Sequence, residues 1–264
     1  MAGQPSVVQT NRAVADVRDA LWHGSLPLLG AGLLMLIATT LPAPAATFMA
    51  PQGCRLEMTI QSRGCTVTQI YRCESDPNGT QHSAIFGQDG LTHLSTIDAE
   101  TRWIESSDPQ TGLVDRLVDA AKDHASFSEL LQTSRDDFDF WTQSNTGERL
   151  HHVGRDVLTG EKVVIDGVEL EKTQFELTTS NEAGEVLIQR KGQQFINRAN
   201  GRFYGGIEQS SDWTGETRET NDSPVTFSFP GEAGFGATEP QYDCDMMVAQ
   251  TAPLFAVHKA GWTE

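Results

Sequence analysis

Apolar and polar residues alternate over 54–61, with Leu56, Met58 and Ile60 on one side of the period and Arg55, Glu57, Thr59 and Gln61 on the other. That is the pattern of a strand burying one face. Ser62-Arg63-Gly64 reads as a turn, and 65–73 (Cys-Thr-Val-Thr-Gln-Ile-Tyr-Arg-Cys) is rich in β-forming residues and predicts a second strand. Setting Ser62 opposite Cys65 pairs Ile60 with Val67, Leu56 with Tyr71 and Cys54 with Cys73. Asp76-Pro77-Asn78-Gly79 is a turn, after which strands are expected at 81–86, 91–97 and 101–105, separated by Gln88-Asp89-Gly90 and Asp98-Ala99-Glu100.

The period then changes. Leu113, Val114, Leu117, Val118 and Ala121 recur at helical spacing, and Ser126-Phe127-Ser128-Glu129 is a capping box opening a short helix through Leu130 and Leu131. A third helical turn is expected from Ser134, with Asp136 and Asp137 near its positive end. Strands resume at 161–165, 169–179, 185–190, 193–198, 202–208 and 225–229, punctuated by Asp166-Gly167, Asn181-Glu182-Ala183-Gly184, Asn200-Gly201 and Pro230-Gly231. Asn200-Gly201 is the strongest hairpin signal, because both residues tolerate the positive φ that a two-residue turn demands.

These elements predict a mainly β (α+β) fold: a curved antiparallel sheet or incomplete β-barrel with two or three short helices inserted between two blocks of strands, the insertion falling at about 111–142. A β-sandwich with a helical insertion is the alternative. In strand order and helix placement across about 54–243, the pattern resembles the periplasmic lipoprotein-carrier and envelope-binding folds. The resemblance is one of architecture, and no site residue is carried over from it.

An apolar run over 26–41 precedes Pro42-Ala43-Pro44-Ala45-Ala46, and no charged residue stands between Asp19 and Arg55. The run suits a signal h-region better than a membrane span of about 20 residues, and Ala43 and Ala45 supply an Ala-x-Ala cleavage pattern. Residues 1–45 are therefore expected to be an export signal and 46–264 a single domain. Contact with a membrane is expected only through an uncleaved signal segment. Arg12 and Arg18 balance Asp16 and Asp19 in the leader, so the rest of the chain carries the whole net charge of −17. Nucleic acid and anionic membrane surfaces, which require concentrated positive charge, are excluded as main partners.

All four cysteines follow the leader. An even number in an exported chain implies disulfides, and the spacings do not match paired zinc knuckles. The hairpin register joins Cys54 to Cys73 and leaves Cys65 for Cys244. No cofactor and no metal site is expected.

Candidate chemistry is sparse. Adjacent His151 and His152 point to opposite faces of a strand, although a small hydrolase using either one is the alternative function. Asp136-Asp137-Phe138-Asp139 lacks the glycine and distal Glu of a calcium loop, and neither a Gly-x-Ser-x-Gly elbow nor a phosphate-cradling glycine loop is present. His82, His93, His124 and His258 have no ligand-like spacing. Leu130, Leu131, Phe138, Phe140 and Trp141 are the candidate lining of an apolar groove between helix and sheet. The expected function is that of an exported, non-catalytic periplasmic protein binding an apolar small molecule, a lipid or lipoprotein, or an envelope protein.

Overall fold

The computed structural model describes residues 47–245, so the expected leader at 1–45 and His258 lie outside the described residues. The strands are β1 (Cys54–Ser62), β2 (Thr66–Cys73), β3 (Gln81–Gly87), β4 (Gly90–Ile97), β5 (Trp103–Asp108) and β6 (Leu113–Leu117). After the helix α1 (Phe127–Thr133) come β7 (Arg135–Ser144), β8 (Arg149–Ile165), β9 (Val168–Asn181), β10 (Val186–Asn197), β11 (Arg202–Tyr204), β12 (Ile207–Asp212), β13 (Thr217–Asn221) and β14 (Pro224–Ser228). They form one 14-stranded antiparallel sheet, curved but not closed, in which neighbours in sequence pair from β1 to β10, β12 and β13 continue one end, and β14 returns beside β1.

Register shows how this sheet curls. Direct partners run Met58, Ile70, Ser83, Ser95, Ser106, Asp115, Ser144, so these side chains share one face. Phe140, on the same side of β7 as Ser144, continues that face through His152, Thr179 and Ile188 to Ile196. Leu170, Phe195 and Tyr204 fall on the opposite face. They nevertheless share a core cluster with Met58, Ile60, Ile70 and Phe227. The sheet therefore rolls past itself, and the concave face of β14, β1 and β2 covers the convex face of β9, β10 and β11. Only Asp222 and Ser223 join the two outermost strands, β13 and β14. Backbone bonds from Arg63 N–H to Ser223 O (2.9 Å) and from Asp222 N–H to Gly206 O (2.8 Å) fasten the overlap.

The polar side of β1 and β2 is covered as well. Gln69, Thr59 and Gln61 are buried under the stretch that follows β14. Gln69 Nε2 donates to Ala237 O (2.6 Å), Gly236 N to Thr59 Oγ1 (2.8 Å) and Gln61 Nε2 to Glu239 O (3.0 Å), while Thr59 Oγ1 donates to Gln69 Oε1 (2.6 Å). Disulfides join Cys54 to Cys73 and Cys65 to Cys244, the second tying this strap to the β1–β2 turn.

Several expectations change. Cys54 pairs with Cys73 and Leu56 with Tyr71 as expected, but a bulge at Glu57 moves Ile60 onto Thr68 and Ser62 onto Thr66. Among the described residues the two or three expected helices reduce to one. Leu113 to Leu117 forms β6, because two apolar doublets four residues apart fit either period and the strand supplies hydrogen-bond partners to both β5 and β7. Ser134, at φ 67°, ends α1 instead of opening a further turn, and β7 follows with strict alternation of buried and outward residues. Segments 185–190 and 193–198 merge into β10, whereas 202–208 divides between β11 and β12. Asn200-Gly201 lies in a hairpin, but the loop has four residues, since Asn197 pairs with Arg202 and Gly201 takes the positive φ. Asp166-Gly167 is the two-residue turn with positive φ at both positions, closing Ile165 onto Val168.

Candidate functional site

Ser126 caps the helix as predicted, but only its half of the capping box forms, because Asp136 and not Glu129 accepts from the Ser126 N–H. Ser126 Oγ accepts from Glu129 N–H (3.2 Å), satisfying one free donor of the first turn. Glu100, in the turn between β4 and β5, and Asp136, on β7, hold the same corner. Glu100 Oε2 accepts from Ser126 Oγ and Ser128 N–H, both at 2.9 Å, and Asp136 Oδ2 accepts from Ser126 N–H at 2.9 Å. These bonds keep the Glu100 carboxyl below the usual range, with the Ser128 amide as the largest influence. Anchored this way, α1 buries Phe127 and Leu130 against Ile196, with Leu131, Leu158 and Phe203 around them.

Beside the helix lies a recess of about 270 Å³ between α1 and the β10–β11 loop. Phe127, Leu131 and Ala99 supply apolar wall, and Arg72, Arg198 and Glu100 supply charge. Both arginines are already paired: Arg72 Nε lies 2.9 Å from Glu57, and Arg198 forks onto Glu171. The charges lining the recess are therefore largely balanced.

The five side chains expected to line a groove fall into three places. Leu130 and Leu131 belong to the α1 cluster, and only Leu131 borders the recess. Phe138 and Phe140 lie on the concave face in a neighbouring cluster with Phe175 and Leu177, over which Leu117, Ala121 and Ala125 pack. Trp141 projects from the other side of β7, stacked at 4.4 Å on His151 with the Arg149 guanidinium 5.1 Å from its ring centre. Sequence reading missed Phe127, within the helix, and Glu100 and Arg72, outside it, as lining of the recess. The capping box contains Phe127, but nothing local ties it to residues 27 and 55 positions upstream.

The adjacent histidines occupy opposite faces, as strand geometry requires. His151 Nε2 lies 2.6 Å from Asp139 Oδ1, and that bond is the largest factor holding the Asp139 carboxyl down. His152 is buried between Thr142 Oγ1 (3.0 Å) and Thr179 Oγ1 (3.1 Å). Burial, then the charges of His151 and Arg190, lowers its pKa to about 4, so the ring is neutral at pH 7. Neither imidazole hydrogen-bonds a serine, and each is engaged by the sheet. His82 stacks on Tyr71 and lies 2.5 Å from Asp76 Oδ2. Cys73 is close enough to complete a three-donor cluster with them, but its sulfur is committed to the disulfide and offers no thiolate.

One pair of titratable groups was not legible in advance. Asp136 and Asp156 are direct cross-strand partners on the concave face. Burial raises the Asp136 carboxyl to about 6 against the opposing Ser126 amide, and raises Asp156 to about 7 with the Asp136 charge adding to it. Asp136 Oδ1 is sealed from solvent without a hydrogen-bond partner.

Comparison of this chain with known protein families, with characterised proteins and with solved structures returns no match. The two disulfides fit an oxidising, exported environment. Among the described residues no helix is long and apolar enough to cross a membrane.

Proposed function

We propose that this protein is an exported, non-catalytic component of the bacterial cell envelope, working in the periplasm and binding an apolar ligand of lipid type. The observation that supports the reading is the recess beside α1. A single helix docked in a rolled sheet leaves an apolar wall of Phe127, Leu131 and Ala99 exposed to it, with polar groups at the margin to orient a headgroup. Its volume of about 270 Å³ accommodates part of an acyl chain. Disulfides and the leader pattern at 1–45 support the compartment.

The test is a titration of the oxidised protein with N-phenyl-1-naphthylamine, a neutral apolar fluorophore. Saturable enhancement that dodecanol displaces is expected. Leu131→Asp, which places a charge on the apolar wall, should weaken it at least tenfold while leaving the far-ultraviolet circular dichroism unchanged. Absence of saturable binding by the unmodified protein would overturn the reading.

A further inference from the structure

A second cavity, of about 140 Å³, lies between the overlapping layers of the sheet. Ile60, Ser62, Thr68, Ile85 and Pro224 line it from one side, and 202–205 from the other. Arg202 and Tyr204 project from the convex face of β11 toward the concave face of β1 to β3, so the guanidinium enters the space between the layers. Its Nη1 is sealed from solvent and has no hydrogen-bond partner. Tyr204 and Arg72 are the titratable neighbours that act on it, and no carboxylate is among them. Arg72 is itself paired with Glu57. Arg202, half-buried as a residue, thus has one sealed, unpartnered guanidinium nitrogen and no counter-charge in a chain of net charge −17.

Such an arrangement is costly at the sealed nitrogen, because a buried N–H of a charged group needs a hydrogen-bond partner to replace the water it has lost. Burial, and then the charge of Arg72, lowers the Arg202 pKa only to about 10, so it remains cationic at neutral pH. The surrounding groups suit an organic anion. Hydroxyls of Ser62 and Thr68 lie on the wall, and Tyr204 Oη accepts from Asn200 Nδ2 (3.0 Å), leaving its own proton available to donate. Ile60, Ile85 and Pro224 provide apolar surface beside them. A single water needs roughly 10–15 Å³ of comparable space, so several non-hydrogen atoms fit. Gly205, at the margin, is exposed and marks the way in.

We infer that the space between the overlapping layers is a binding site for the carboxylate of an organic acid with an apolar tail, with Arg202 as its counter-ion. This is a second site, beyond the recess beside α1.

The experiment measures binding of hexanoate, dodecanoate and their neutral counterparts hexanol and dodecanol to the full oxidised chain at pH 7 by calorimetry. At least a tenfold preference for each acid over its alcohol is expected, as for a charge-assisted, forked hydrogen bond. The preference should vanish in Arg202→Met and fall in Arg202→Lys, which keeps the charge but loses the fork. Because Arg202→Met removes an uncompensated charge, its unfolding temperature without ligand should equal or exceed that of the parent, whereas loss of a structural ion pair would lower it. Leu131→Asp should leave hexanoate binding unchanged. Preference for hexanoate alone assigns a short free acid, and equal or tighter dodecanoate binding assigns a fatty acid whose tail leaves past Gly205. Equal binding of acid and alcohol would overturn the inference while leaving the apolar reading standing. Binding of inorganic phosphate without hexanoate would overturn the carboxylate assignment. Binding of none of these would overturn both readings.

Discussion

Asp156 shows at the scale of one residue how the rolled sheet alters chemistry. Its carboxyl faces Asp136 inside the roll, and burial followed by that like charge raises its pKa to about 7. The folded chain therefore holds a proton that the unfolded chain, with an Asp pKa near 3.9, has released. Since the native state binds more protons, stability falls as pH rises through the folded pKa. His152 acts in the other direction. Its neutral buried ring favours folding above its ordinary value near 6.5, and this contribution is lost as pH falls toward about 4. The two effects oppose one another between pH 4 and 6.5, and above that window the aspartate dominates. Denaturant titrations at pH 6.5 and pH 8 should show a loss of stability on the order of 1 kcal/mol at the higher pH. Asp156→Asn should remove most of that loss, and an unchanged slope would show that the carboxyl is not protonated in the fold. No local signal announces this pair. Asp136-Asp137 reads as the acidic first turn of a helix, and only the β7–β8 pairing brings Asp156 opposite. Thr59, Gln61 and Gln69 are illegible for a related reason. They occupy the polar positions of an alternating pattern and read as a solvent face, but the strap at 236–241 buries them while satisfying their amides and hydroxyl.

Among the elements, β7, β8 and β9 make the wall on which Phe138 and Phe140 sit, and Gly154 sets how closely they pack. A Cβ at Gly154 would lie 2.2 Å from Glu176 O and 2.7 Å from the Phe138 ring. The backbone of β9 must move to admit it. Gly154→Ala should destabilise the fold by about 3 kcal/mol, toward the upper end for overpacking. Chemical denaturation reads the effect directly, and a change below about 1 kcal/mol would mean that the neighbouring strand yields easily. Element types with strong local signals were legible: the helix start at Ser126, the Asp166-Gly167 turn and the strand β1 appear as read, although β1 is buried on both faces over 58–62. Where two periods fit the same residues, partners decided. Leu113, Val114, Leu117 and Val118 suit a helix or a strand, and hydrogen bonds offered on both sides by β5 and β7 select the strand. The bulge at Glu57 likewise has no sequence mark, so the register near the cysteines is right while the turn end is shifted by one residue.

At the scale of the whole molecule, the overlap of β14, β1 and β2 on β9 to β11 makes one core from both ends of the sheet. It needs fastening, because each outer strand offers an unpaired edge. Asp222-Ser223 and the Cys65–Cys244 bridge do this covalently. The bridge spans a sequence separation of 179 and restricts the unfolded chain by about 5 kcal/mol in the chain-entropy model. That the chain is a curved antiparallel sheet with inserted helix was legible from strand signals and turns. That it rolls beyond closure was not, since overlap depends on curvature summed over fourteen strands.

An exported, disulfide-fastened roll that binds an apolar ligand is tested most directly by native mass spectrometry of the chain purified from the periplasmic fraction, before and after reduction. A chain beginning near Ala46, four protons lighter before reduction as two disulfides require, should carry an apolar adduct that Leu131→Asp releases. A reduced chain retaining the leader would contradict the compartment, and an oxidised chain without adduct that binds no added lipid would contradict the ligand-binding function.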